Sequence, residues 1–459
     1  MINLKEKKYQ RNCLNEVMHT TLNPEEPGVV RLHLVPSKFS LFKNRPSVII
    51  INGKDLIPLN SAWTILLSVF IKEVNKHQFK AISDEELQNI VEETVNNVKK
   101  IYRTAKKDEI REDLNLLMNL FVAIARKEPT DIDVGQMTLG DFSKFMRGPH
   151  RMDLMISAMT KNKKWNCNQK CVHCYAANQT YADVKEMTTD EWKKVIDICK
   201  DNCIPQLTFT GGEPTIRKDL VELIDYSRWF VTRLNTNGVL LNKTLCKKLY
   251  DASLDSVQIT LYSYDADIHN KLVGANNFEK TVKGIKNAVE AGLNVSINTP
   301  LCTLNKDFVK TLEFANELGV TYASCSGIIV TGNAKKEESK STQLTEEEIT
   351  KVMEDACKFA EEKEMEISFT SPGWIKEEKL KELKLDVPSC GACLSNMAIA
   401  PDGSVMPCQS WLGTNQSLGN ILQTKWKKIW NSNKCKKIRK ESSKIGLICP
   451  LREGKINAK

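Results

Sequence analysis

Three thiols lie within eight residues in Cys167-Asn-Gln-Lys-Cys171-Val-His-Cys174, the densest chemistry in the sequence. Thiolates are soft ligands, suited to iron–sulfur clusters and to zinc. A [4Fe–4S] cluster usually takes four, so three would leave one iron open for another ligand. Structural zinc favours paired Cys-x-x-Cys spacing and four protein ligands, and His173 would have to be the fourth. A second motif, Thr210-Gly211-Gly212-Glu213-Pro214, follows an apolar run. Its glycines let the backbone approach a ligand closely, Glu213 offers an acceptor, and Pro214 fixes the exit. A third constellation is Cys390-Gly-Ala-Cys393, Asp402-Gly403 and Cys408, with Cys435 and Cys449 beyond. The stretch MAIAPDGSVMPC reads as a β-hairpin, which would return Cys408 beside Cys390 and Cys393.

These groups need a scaffold. Strand and helix patterns alternate over 153–375, with strands predicted at 154–158, 207–210, 231–235, 256–261, 295–299 and 322–329. Helical spacing separates them at 189–200, 218–227, 243–252, 278–291 and 306–318. Six such units predict an α/β fold, a partial (β/α)6 TIM-like barrel with parallel strands and right-handed crossovers. Ligands on such sheets sit at the carboxyl ends of the strands, where the Gly-Gly-Glu-Pro turn falls. Cys325, ending the sixth strand, is read as facing the working side of the barrel. The charged stretch 335–341 reads as an exposed loop.

Residues 1–126 form a winged-helix-like α+β module, its core about 28–126. Strands are expected at 29–35, 47–53 and 55–58, and helices at 61–75, 83–102 and 108–126; Ser83 to Glu86 is a capping box. Residues 127–152 read as a linker. Residues 385–459 read as a small cluster-binding module held by something other than a large core.

The chain has 459 residues, 41% apolar and 27% charged, as globular proteins do. No apolar run is long enough to span a membrane and the N-terminal segment lacks an export signal, which predicts a cytoplasmic protein. Fifteen cysteines in a reducing compartment argue for metal more than for disulfides. Those at 13, 199, 203, 246, 302, 325 and 357 are scattered and read as buried. From Lys425 to Lys459 twelve cations meet two carboxylates, a net of +10 against +9 for the whole chain. A solvated amphipathic helix and tail is the simple reading; an acidic partner is the sharper one. No aromatic interleaving supports nucleic acid.

Cys-x-x-x-Cys-x-x-Cys followed one strand later by Gly-Gly-Glu-Pro resembles the radical S-adenosylmethionine (SAM) enzymes. The resemblance implies that Cys167, Cys171 and Cys174 hold a [4Fe–4S] cluster whose open iron is chelated by SAM. It implies that Gly211, Gly212 and Glu213 receive the methionine amino group and that His173 lies against the adenine. It further implies that Asn237, in Thr236-Asn237-Gly238, Thr260 and Asn298, at the ends of the third, fourth and fifth strands, lie near SAM. Two departures stand out: His269-Asn-Lys-Leu-Val-Gly274 replaces a common His-Asp-x-x-Arg-Gly, and polar residues 160–166 precede Cys167. The C-terminal spacing is similar to the SPASM extension of these enzymes, with fewer cysteines. It implies one auxiliary [4Fe–4S] cluster on Cys390, Cys393, Cys408 and Cys449, with Cys435 in reserve.

The first module resembles the elements by which peptide-modifying relatives capture a leader peptide as an added strand. The expected function is therefore modification of a ribosomally made precursor peptide, forming a thioether or carbon–carbon crosslink. The expected partners are that peptide with its leader and an external electron donor of flavodoxin or ferredoxin type, with no membrane or nucleic acid. Alternatives are a peptide epimerase, for which Cys325 is a weak hydrogen-donor candidate, a cofactor-biosynthesis enzyme, and a formylglycine-generating sulfatase maturase. The last uses an Asp after the hairpin cysteine, where this chain has Gln409. An iron–sulfur winged-helix redox regulator is the non-enzyme alternative.

Overall fold

A computed structural model describes residues 4–13, 18–22, 30–35, 47–52, 55–77, 82–126, 128, 138–143, 146–444 and 448–456. The chain divides into two compact units: 1–148 with 199–205, and 149–198 with 206–459.

The first unit begins with helix α1 (Leu4–Cys13) and a four-stranded antiparallel sheet, β1 (Met18–Leu22), β2 (Val30–Val35), β3 (Ser47–Ile51) and β4 (Asp55–Leu59), in chain order. Helices α2 (Ser61–Val74), α3 (Asp84–Ile101) and α4 (Lys107–Arg126) follow. Asn60 caps α2 by accepting from Trp63 N at 2.8 Å, and Ser83 with Glu86 forms the predicted box before α3. Leu32, Leu34, Ile49, Ile51 and Ile57 pack with Leu67, Ile71 and Phe121 in one core. The expected α+β module is therefore present, with α1 and β1 in addition. The sequence of β1, MHTTL, is short and polar, so it carries no periodic signal. Val29, Gly53 and, in the expected linker, residues 127, 129–137 and 144–145 fall outside the described residues.

The second unit holds a nine-stranded sheet. Its six central strands are β5 (Arg151–Ser157), β6 (Gln206–Gly211), β7 (Val231–Thr236), β8 (Ser256–Thr260), β9 (Asn294–Pro300) and β10 (Tyr322–Ser326), parallel and adjacent in that order. These are the six predicted units. Two further parallel strands extend them. β11 (Glu366–Phe369) pairs with β10 after helix Glu346–Glu362, and β12 (Asn396–Ile399) pairs with β5 from Asn396↔Arg151 to Ile399↔Leu154. β13 (Val405–Met406) closes the predicted hairpin antiparallel to β12. The C-terminal cysteines are thus anchored to the barrel sheet itself.

Alternation gives the sheet two faces. Leu154, Phe209, Leu234, Ile259 and Ile297 are buried, while their neighbours Asp153, Thr208, Arg233, Gln258 and Asn298 are polar. Gln258 Nε2 donates to Ser324 Oγ at 3.0 Å, two strands away, and Ser324 Oγ lies 3.0 Å from Asn298 Oδ1, so this polar face is the concave one. Among the described residues no helix is long and apolar enough to cross a membrane.

Candidate functional site

The loop bearing Cys167, Cys171 and Cys174 follows β5 and a short hairpin, Thr160–Lys161 with Lys164–Trp165, formed by the extra polar residues. It is suspended by its backbone. Lys170 N and Val172 N donate to the carbonyls of Val273 and Leu272 at 3.0 and 2.9 Å. Asn333 Nδ2 donates to Cys171 O at 3.0 Å, Asn333 N to Cys174 O at 2.9 Å, and Ser339 Oγ to Val172 O at 3.0 Å. Gly274 (φ 63°) and Gly332 (φ 57°) lie so close that a Cβ would strike the carbonyl oxygens of Lys170 and Cys174. The divergent His269–Gly274 segment is therefore the shelf under the loop. The stretch 335–341 is mostly exposed, as expected, but is not entirely loop. It includes the helical turn Glu337–Lys340, whose Ser339 is buried against the thiol loop because its hydroxyl satisfies a loop carbonyl.

The three thiols share one electrostatic environment. Burial pushes Cys167 up to about 12 and Cys171 well above the usual thiol value, and the neighbouring thiols and Glu213 push the same way. Cys174 is raised by burial too. A bound cation would reverse this and hold all three as thiolates.

The Gly-Gly-Glu-Pro turn sits beside them. Cys167 Sγ lies 3.5 Å from Gly212 O, and Gly212 N donates to Ser157 O at 2.9 Å. Gly211 has φ 139°, and a Cβ there would strike the Ser157 backbone. Glu213 is 1% exposed. Its carboxylate accepts from Thr215 N at 2.9 Å, Thr236 Oγ1 at 2.7 Å and Asn237 N at 2.9 Å, tying the turn to the end of β7. Burial raises its carboxyl while these donors pull it down. Asn237 Nδ2 continues to Asn168 Oδ1 in the thiol loop at 2.6 Å. His173 is buried with Nε2 2.8 Å from Thr342 Oγ1, and burial lowers it to about 4, so its ring is neutral at pH 7. Thr260 and Asn298 are half-buried and paired in register at the ends of β8 and β9.

The hairpin brings the C-terminal thiols together. Cys393 N donates to Pro407 O at 3.0 Å, next to Cys408. Burial raises the Cys390 and Cys408 thiols; Cys449 pushes both further up, and Cys390 does the same to Cys408. Cys393 is instead electrostatically linked with Cys435, whose Sγ lies 3.5 Å from Arg439 Nη1. Cys435 is buried, beside Arg439 on the same helix. Cys167, Cys174, Cys390 and Cys408 pack around one core with Met155, Met159, Met406 and Trp411. Tyr175 OH donates to Gln409 Oε1 at 3.3 Å, linking the two sets. Among the described residues no three His, Cys, Asp or Glu side chains converge as ligands of a single metal ion would.

Cys325 departs from expectation. Its Sγ lies 3.2 Å from Met353 Sδ on helix Glu346–Glu362, so it faces the helix layer, away from the concave face that its neighbour Ser324 shares with Asn298. The alternation of the strand fixes this, because Cys325 and Ser324 must point to opposite sides. Sequence reasoning missed Asn168, Asn333, Ser339 and Gly332; Gly332-Asn333 was the visible signal.

Residues 166–315 match the radical SAM superfamily, and residues 390–450 match SPASM, an iron–sulfur cluster-binding domain. The chain carries a radical SAM domain and a SPASM domain. A radical SAM domain indicates a SAM-dependent radical enzyme, and the SPASM match is to an iron–sulfur cluster-binding domain. It is 32% identical over 189 residues to an Fe-coproporphyrin III synthase of Methanosarcina barkeri, a match covering 39% of this chain and 46% of that one, less than half its length. It is 27% identical to an AdoMet-dependent heme synthase of the same organism, covering 60% of this chain and 82% of that one. In structure it is similar to Streptococcus suis SuiB bound to its precursor peptide SuiA, with TM-score 0.58, 16% identity and 86% and 87% of the two chains covered. Neither domain match reaches the residues before 166. The residues fit the cofactors: the radical SAM domain offers three soft donors beside a glycine turn, and the SPASM domain offers a set of partly and fully buried thiols.

Proposed function

We propose that this radical SAM/SPASM protein is a peptide maturase, acting on a ribosomally made precursor peptide to form a thioether or carbon–carbon crosslink. Cys167, Cys171 and Cys174 would ligate one [4Fe–4S] cluster, and Cys390, Cys393, Cys408 and Cys449 one auxiliary cluster. Bound SAM and a reduced cluster would supply one-electron radical chemistry able to attack an unactivated C–H bond. Gly211, Gly212 and Glu213 would hold the methionine amino group, with Glu213 already oriented by Thr236 and Asn237. The neutral His173 ring would pack on the adenine, and Asn237, Thr260 and Asn298 would border SAM. The polar concave face, with Asp153, Arg233 and Gln258, would orient substrate.

The observation carrying this reading is the first unit. It is an antiparallel sheet backed by helices, in a chain whose fold follows 86% of its length a protein bound to a precursor peptide. A free sheet edge can take an added strand through main-chain hydrogen bonds. Cofactor biosynthesis is the second reading, favoured by higher sequence identity to the Fe-coproporphyrin III synthase and the AdoMet-dependent heme synthase. Anaerobic incubation of the reconstituted protein with SAM, reductant and the short peptide encoded beside its gene separates them. The peptide should lose two hydrogens as 5′-deoxyadenosine forms. Unchanged peptide together with turnover of iron coproporphyrin III would establish the second reading instead.

A further inference from the structure

The outer face of the C-terminal helices carries a one-signed charge. From Lys425 to Lys444 nine cations meet one carboxylate, Glu441, a net of +8. Helix Asn433–Ser442 sorts its residues by face: Cys435 and Ser442 are buried, while Lys436, Lys437 and Lys440 are exposed. Helix Trp426–Trp430 repeats the pattern, with Trp426, Ile429 and Trp430 inward and Lys427 and Lys428 outward. A merely solvated face usually mixes signs, as helix Glu346–Glu362 does with its Lys351–Asp355 pair. Like charges crowded together repel and cost stability, so an unmixed patch points to an opposite charge it receives.

The inner face of the same helix touches the thiols. Ser442 Oγ lies 3.9 Å from Cys390 Sγ, and the buried Cys435 is electrostatically linked with Cys393. One helix, about 10–12 Å across, therefore separates the basic surface from the cysteine set. We propose that this face docks an acidic one-electron carrier protein, which passes its electron to the auxiliary cluster. The proposal rests on the reading that these cysteines hold that cluster. The carrier loses one electron and the cluster gains one; no bond forms or breaks. Proximity to the thiols favours a redox protein over an acidic leader peptide, which would be recognised at a sheet edge.

The test uses anaerobic holoprotein and, as carrier, a reduced flavodoxin with an acidic surface. Stopped-flow reduction of the wild type should slow steeply as salt rises. K436E/K437E/K440E, and separately K427E/K428E, should each be reduced about tenfold or more slowly at low salt, with little salt dependence. Iron content and reduction by dithionite should match wild type. Equal flavodoxin rates in wild type and both variants, with iron and dithionite reduction intact, would overturn the docking site and leave the cluster standing. About four irons in the wild type would overturn the auxiliary cluster itself.

Discussion

The loop at Cys167–Cys174 and the set at Cys390–Cys449 gather thiols in different ways. The first takes three from one short segment, and its neighbours Gly274, Gly332, Asn333 and Ser339 hold backbone, not sulfur. The second takes its thiols from a turn, a hairpin end, a helix and the C-terminal segment, and packs them by side-chain contact. A local loop can keep its ligand geometry while its surroundings vary. A set spread along the chain depends on every element that delivers a thiol. The first site should therefore behave as a unit, and the second should show a graded response to single substitutions.

Removing the first thiol site has the largest expected effect. Replacing Cys167, Cys171 and Cys174 by Ala should abolish 5′-deoxyadenosine formation and remove about half of the reconstituted iron, because a cluster with no thiolates cannot form. Continued SAM cleavage by the triple variant would refute the unit. Single substitutions in the second set come next. Cys408→Ala should empty that site while leaving slow SAM cleavage. Cys435→Ala and Cys449→Ala should differ: the proposed ligand set predicts that loss of Cys449 costs more iron. The reverse order, read by iron content and electron paramagnetic resonance, would make Cys435 the ligand and Cys449 the reserve.

Glu213→Ala sharpens the contrast from the cofactor side. It removes a proposed charge-assisted contact to SAM worth about 1.5–3 kcal/mol, roughly ten- to a hundredfold in affinity, without removing a thiolate. Calorimetry should show weaker SAM binding at unchanged iron. Because Glu213 also joins the turn to Thr236 and Asn237, Glu213→Gln should recover part of the loss by keeping acceptors for those donors.

The same contrast explains what the sequence made legible. Three cysteines in eight residues declare themselves, and so do six strand–helix units whose apolar residues alternate. Strand β11 was not visible because GluIleSerPhe is too short to show a period. The pairing of β12 with β5 joins residues over two hundred positions apart, which no local pattern encodes. Cys325 was misread because a strand end reveals which residues are nearby but a one-residue shift decides which face they take. Cys435 is linked with Cys393 through helix packing, which spacing alone does not set. Ser339 looked exposed because its neighbours are charged, although its own hydroxyl turns inward to Val172 O.

The smallest expected effect concerns the shelf beneath the first loop. His269 is fully buried there, and its Nδ1 accepts from Tyr262 N at 3.3 Å. Burial lowers its pKa from 6.5 to about 4, so the folded protein keeps it neutral. Above pH 6.5 neither folded nor unfolded His269 is protonated, and the residue adds no pH dependence. As pH falls from 6.5 towards 4 the unfolded chain takes up a proton that the folded chain does not, and stability declines. Each unit of displacement is about 1.4 kcal/mol, so the decline between pH 6.5 and pH 5 should be about 2 kcal/mol. His269→Gln, which keeps an acceptor but does not titrate, should start less stable at pH 7 and lose less on acidification. Thermal unfolding of both holoproteins at pH 7 and pH 5 should therefore show the gap between them narrowing by a few degrees. A constant gap would mean that the shelf admits a proton, and that the loop above it is less rigidly held than its hydrogen bonds imply.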